Sequence, residues 1–280
     1  MERLRDVARH GSVEHGVLAQ EAAAALASLG DDPAGLVLAC KRLVDRHPGA
    51  GPLWSMCARV LLAGDPRQEA WRCLSELDDD LTASYVVQLL PDESTVTVLG
   101  WPEVAARALP PRGDVEVLVV DALGEGSQLV RRLGRLDVVA TEVAESGTGA
   151  AVVASDVVLL EAHASGPDAF LAVAGSRAAA AVARHAGVPV WLVAASGRAL
   201  PGPLWGALSA RTVGGAGALE ADAEVVPLDL VDVVVGPTGG STGTELARRA
   251  DCAAAPELLA DRPAAVSNPY DLDRHDAEER

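Results

Sequence analysis

The segment Glu161-Ala-His-Ala-Ser-Gly-Pro-Asp168 brings two carboxylates, an imidazole and a hydroxyl together within a few residues. A carboxylate beside an imidazole is the usual equipment for moving a proton between adjacent atoms of a substrate, so Glu161, His163 and Asp168 are candidates for acid–base work. The competing reading is that Glu161 and Asp168 are solvated loop charges and His163 a surface residue. Shortly after, Gly175-Ser176 opens an Ala-rich stretch whose first N–H groups would attract an anion if it is a helix, or would simply be capped. Gly166 within the segment and Gly100-Trp101 upstream complete the set of candidate ligand-binding residues: Gly100, Trp101, Glu161, His163, Gly166, Gly175 and Ser176.

Other chemistries lack their residues. Lys41 is the only lysine, so a P-loop is ruled out for Gly236-Pro-Thr-Gly-Gly-Ser-Thr-Gly-Thr244, which reads as a flexible loop. Gly124-Glu-Gly126 lacks the third glycine of a dinucleotide fingerprint, and no metal-binding histidine pair occurs. No metal and no cofactor are expected. Cys40, Cys57, Cys73 and Cys252 form no Cys-x-x-Cys pair and read as buried free thiols of a reducing compartment. A formal charge of −17 and a single Phe argue against nucleic acid and anionic lipid as partners. The absence of an apolar leader or a long apolar run predicts a cytoplasmic protein.

The elements that would position these residues fall into two kinds. Up to Pro91, Pro and Gly punctuation predicts helices from Ser12 to Leu29, from Asp32-Pro33 to His47-Pro48, over Pro52–Ala63, Pro66–Leu77 and Leu81–Leu90. Beyond it, short β-branched runs alternate with Ala- and Leu-rich stretches: Thr95–Leu99, Val115–Val120, Asp137–Ala140, Asp156–Leu160 and Val188–Val193. That alternation predicts βαβ units and a parallel sheet buried on both faces. Leu228–Val235 fits a strand or a short helix. The fold class is therefore α/β, with a helical domain over 1–92, a Rossmann-like domain over 93–262 and a mobile acidic tail over 263–280. In such a sheet the ligand crevice lies at the carboxyl ends of the strands, in the loops Gly100–Pro102, Asp121–Ser127, Thr141–Gly149, Glu161–Asp168 and Ala194–Arg198.

Three stretches carry a resemblance to a known family. Asp156-Val-Val-Leu-Leu-Glu-Ala with Gly166-Pro-Asp168 and Gly175-Ser176, then Ala183-Arg-His-Ala-Gly-Val-Pro-Val190, then Val226-Pro-Leu-Asp-Leu-Val-Asp232 resemble the family of translation initiation factor 2B alpha, beta and delta subunits. Methylthioribose-1-phosphate and ribose-1,5-bisphosphate isomerases are its enzymatic members. Gly11-Ser-Val-Glu14 fits the opening of its first long helix. The resemblance implies a ribose-5-phosphate isomerase/CoA transferase-like domain behind a helical one, and a homodimer formed through the C-terminal part. It also implies a small anionic metabolite, a nucleotide or sugar phosphate, as ligand.

The departures bear on catalysis. The family's isomerases are expected to use a cysteine on the loop after the first α/β strand, where this chain has Gly100-Trp101-Pro102, and an aspartate for which only Asp168 can stand. The Asn-Lys pair before the helix start is replaced around Leu171, Ala172 and Val173, and the late glutamate is lost at Val234–Gly239. The expectation is a non-catalytic regulatory or scaffold relative. The alternative is a sugar-phosphate isomerase using Asp168 with Glu161 or His163.

Overall fold

The computed structural model describes residues 15–213 and 220–259, so the expected start of the first helix at Ser12 and the tail over 263–280 lie outside the described residues. Helix α1 (His15–Ser28) is followed by α2 (Pro33–Arg46), α3 (Gly51–Leu62), α4 (Pro66–Asp78) and α5 (Thr82–Leu89). Their starts follow from side-chain chemistry. Asp32 accepts from the Gly35 N–H at 2.9 Å and Asp65 from the Gln68 N–H at 3.0 Å, each with proline in the first turn, where no donor is lost. Helix α3 is buried nearly all round, from Gly51 to Ala58, as its uniformly apolar sequence requires.

Seven strands then form one sheet in the order β10-β9-β7-β4-β1-β2-β3, parallel except for β10. They are β1 (Thr95–Leu99), β2 (Glu116–Val120), β3 (Val139–Val143), β4 (Val157–Glu161), β7 (Val190–Val193), β9 (Val233–Gly236) and β10 (Gly239–Ser241). The chain lays β1, β2 and β3 outward in one direction and returns to place β4 on the other side of β1, in register Val96 to Val157. The point where the order reverses, between β1 and β4, is where such sheets open a crevice. Helices α6 (Glu103–Ala108), α7 (Gly126–Gly134), α8 (Thr148–Val153) and α9 (Ser176–Ala186) are the crossovers.

Three features differ from the sequence expectation, and a fourth resolves an alternative it left open. Residues 164–173 do not form a simple loop: β5 (Ala164–Ser165) and β6 (Ala169–Val173) make a hairpin that pairs with β8 (Ala223–Pro227) in a separate antiparallel sheet. Its apolar residues pack two ways, Leu171 against the helical region and Phe170 against the large sheet. The 236–244 segment is an ordered edge strand and turn, closed by a reciprocal cap between Thr242 and Glu245 that opens α11 (Gly243–Leu246). The ambiguous 228–235 stretch is both things in turn, a 3-10 turn over Leu228–Leu230 and then β9. The third strand also begins two residues later than expected, because Asp137 adopts a positive φ of 59° and turns the chain before it.

The helical region is not closed on itself. Its core includes Ala164, Ala169 and Leu171, together with Leu204 and Leu208 of α10 (Gly202–Val213) and Leu258 of α12 (Pro256–Leu259). Two polar clamps hold it to the sheet. Buried Arg112 donates to the carbonyls of Val87 (3.0 Å), Leu90 (2.6 Å) and Pro91 (2.8 Å) at the end of α5 and is paired with Asp114. Half-buried Asp80 accepts from the N–H of Thr82 and, from the sheet, from that of Ser196 after β7, both at 2.6 Å. Among the described residues no helix is long and apolar enough to cross a membrane.

Burial alone would raise the Asp80 pKa, but the hydrogen bonds from Thr82 and Ser196 outweigh it and pull it below the ordinary carboxylate value. A depressed folded pKa gives stability that is present above the unfolded value of about 3.9 and is lost as pH falls through the folded value. Asp80→Asn is expected to lower urea-unfolding stability by about 1 to 3 kcal/mol at neutral pH. The gap from wild type should narrow as the pH falls below the carboxylate range.

Candidate functional site

A cleft of about 450 Å³ opens between the helical region and the carboxyl edge of the sheet, over the β1/β4 reversal. Its walls come from the β1–α6 loop (Trp101, Pro102, Glu103), the β2–α7 loop (Leu123, Glu125), the end of β4 (Glu161, His163) and the start of α9 (Ser176). Arg46 to Ala50 close it from the helical side.

Of the residues singled out in the sequence, Trp101, Glu161, His163 and Ser176 line this cleft. Gly100, at φ +59°, and Gly175, at φ +93°, shape its rim, since only glycine enters the left-handed region without strain. Gly166 and Asp168 do not line it. Both belong to the β5–β6 turn, where Asp168 is exposed and its carbonyl accepts the Leu228 N–H at 3.0 Å. A Cβ at Gly166 would come within 2.2 Å of the Trp205 ring, so this glycine serves close packing.

Glu161 is neither a loop charge nor a free base. Its side chain is only 6% exposed, and its carboxylate is saturated. Oε2 accepts from the N–H groups of Val104 (2.8 Å) and Ala105 (3.1 Å) in the first turn of α6, and Oε1 accepts from Arg198 Nη1 at 2.9 Å. Arg198, 4% exposed, also donates to the Ala162 carbonyl and lies 3.9 Å from Glu103. A carboxylate at the amino end of a helix and beside a guanidinium sits in the most favourable place a buried anion has. The protein's own carboxylate thus fills the anion position at the start of α6.

The start of α9 is arranged differently. Ser176 is 1% exposed and lines the cleft, yet its Oγ has no hydrogen-bond partner. Glu224 accepts the Arg177 N–H of this helix end at 2.9 Å. The cleft is of mixed charge, with Arg46 and His47 facing Glu103, Glu125 and Asp222.

No cysteine lines the cleft. The thiols of Cys40 and Cys57 approach each other's backbone carbonyls, at 4.0 and 3.9 Å, between α2 and α3. The neighbouring Cys40 thiol and burial hold Cys57 well above the ordinary thiol value, and burial pushes Cys73 up to about 12 and Cys252 to about 11. Among the described residues no group of three or more His, Cys, Asp or Glu gathers as a metal site.

Sequence reasoning missed Arg198, Arg46 and His47. Arg198 ends a loop already marked by its place after β7, and a single arginine after Ala-Ala-Ser-Gly was the available signal. Arg46 and His47 end a helix far upstream, and only the tertiary fold brings them to the sheet. If Gly166 serves packing, Gly166→Ala will lower stability by about 1 to 3 kcal/mol in chemical denaturation, through displacement of Trp205, and will leave the cleft intact.

No family model and no curated protein matches the sequence. Solved structures do. The Pyrococcus horikoshii translation initiation factor eIF-2B is similar at 13% identity and a TM-score of 0.71, over 86% of this chain and 96% of that one. A chain of the tetrameric eIF2B-beta2-delta2 complex from C. thermophilum matches at 18% identity and 0.68, over 88% and 91%. The A. fulgidus eIF-2B delta subunit matches at 17% identity and 0.56, over 86% and 87%. The chain therefore has the fold of the initiation factor 2B subunits that three of its sequence stretches resemble.

Proposed function

We propose that this chain is a non-catalytic, initiation factor 2B-like protein that binds a small anionic metabolite in the cleft and acts as a regulatory or scaffold subunit. The observation that carries the reading is the contrast between two helix ends on one cleft. At α6 the anion position is occupied by Glu161, which removes the nearest carboxylate from proton transfer. At α9 Glu224 takes the Arg177 N–H, while the buried Ser176 hydroxyl beside it has no partner and, with the neighbouring N–H groups of the first turn, favours a phosphate. Asp222 on the cleft wall is an acceptor suited to sugar hydroxyls, so a sugar phosphate or nucleotide matches the mixed charge better than a bare anion.

An isomerase acting through Asp168 has less support. That carboxylate lies on an exposed turn outside the cleft, and no thiol is near. An enediol route needs an acid and a base within hydrogen-bond reach of one substrate, and Glu161 is already committed to two amides and a guanidinium. The C. thermophilum neighbour is named as part of a tetrameric complex, which supports assembly with further subunits, and a homodimer through the C-terminal part is the simplest form.

Two measurements test the reading. In a thermal-shift panel of nucleotides and sugar phosphates at about a hundred times Kd, a bound metabolite adds about 2.7 kcal/mol, and Ser176→Val should diminish that gain. The same protein incubated with ribose-1,5-bisphosphate or methylthioribose-1-phosphate should leave the sugar unchanged by NMR. Turnover abolished by Asp168→Asn would overturn the non-catalytic reading, and no shift with any anion would remove the metabolite.

A further inference from the structure

On the far side of Trp101 from the cleft, a second depression of about 620 Å³ runs along α7, lined by Trp101, Gln128, Arg131, Arg132, Arg135 and Leu136. It is basic ground on an acidic molecule: the chain has 40 Asp and Glu against 23 Lys and Arg, and no carboxylate lines this groove. The spacing is that of one helix face. Gln128, Arg131 or Arg132, and Arg135 stand three or four residues apart, so their side chains form a row about 10 Å long.

Cations near the end of a helix are expected for its dipole, and that accounts for part of their placement. It does not account for the groove. Among the described residues none of the three arginines forms an ion pair; the only contact of this kind is Arg132, whose guanidinium lies 5.5 Å from the Trp101 ring centroid. Two apolar residues join the lining, the Trp101 indole beside Arg132 and Leu136, which is 46% exposed.

We propose that this groove docks an acidic segment of a partner protein, with carboxylates meeting Arg131, Arg132 and Arg135 and apolar side chains resting on Trp101 and Leu136. Charge complementarity selects the class. An open groove cannot enclose a small ligand as a pocket does, whereas a helical segment laid along it gains from a row of cations with apolar contacts beside them. A polynucleotide or an anionic membrane would carry its charge past this short row onto surroundings dominated by the net −17. The docking requires no metabolite in the cleft, although Trp101 lines both.

The test uses the full chain and a fluorescent twelve-residue probe peptide with blocked ends, glutamate at helical three- and four-residue spacing and leucine between. Fluorescence anisotropy at low ionic strength should show saturable binding that weakens with salt and is lost when the probe's glutamates are replaced by glutamine. Arg131→Gln with Arg135→Gln should weaken it about tenfold, with the denaturation midpoint unchanged because no internal ion pair is lost. The proposal is overturned if the glutamate and glutamine probes bind alike, if neither binds, or if the arginine substitutions leave affinity unchanged. It is equally overturned if inorganic triphosphate, single-stranded RNA or phosphatidylserine vesicles bind the groove more tightly than the probe. Sedimentation in which the same substitutions dissociate a dimer would assign the groove to a second copy and overturn it too.

Discussion

The buried pair of Glu161 and Arg198 stands where the organisation of this molecule converges. Glu161 is the last residue of the central strand β4, Arg198 follows β7, and the two amides that complete the carboxylate open the helix after β1. Three neighbouring strands of the sheet are thereby tied together at their carboxyl ends, at the reversal of strand order. Two charges removed from water are tolerable only when each is nearly saturated by partners. Glu161 meets that condition; Arg198 meets it through Nη1, which is bonded to Glu161 and the Ala162 carbonyl, while Nη2 lies 3.9 Å from Glu103 and Nε has no partner.

The consequence for function follows from the same bonds. In an open parallel sheet this edge is where helix ends and loop side chains meet a ligand, and here one of those ends is filled from within. What remains for a ligand is the unpartnered Ser176 hydroxyl at the start of α9, beside the Arg177 N–H that Glu224 takes, and the wall to which Arg46 and His47 contribute. The helical region is held over it by close contact: a Cβ at Gly51, the first residue of α3, would come within 2.6 Å of the His163 carbonyl, so the helix seats directly on the backbone of the candidate segment.

Much of the fold was legible in the sequence because local signals and global burial agree in it. Pro33 and Pro66 after aspartate caps mark helix starts, and the β-branched runs of β1, β2 and β4 are buried strands. The β5–β6 hairpin was not legible, because Ala164-Ser165 is too short for a period and its pairing with β8 spans more than fifty residues. In the site, residue types named the right segment but not its chemistry. A carboxylate ending a buried strand reads the same whether it faces solvent, a substrate or an arginine, and the partner that decides it lies 37 residues away. Asp168 was drawn in by its place in a motif, while the turn that carries it points away from the cleft.

A double-mutant cycle on Glu161 and Arg198, read by chemical denaturation, tests most directly whether this carboxylate is a structural tie. Glu161→Gln and Arg198→Met are each expected to lower stability by about 3 to 5 kcal/mol, since each strands a buried charge. The double variant should lose less than their sum by about 1 kcal/mol or more. Strictly additive losses, or a Glu161→Gln protein as stable as wild type, would contradict the account and return Glu161 to the residues available for chemistry.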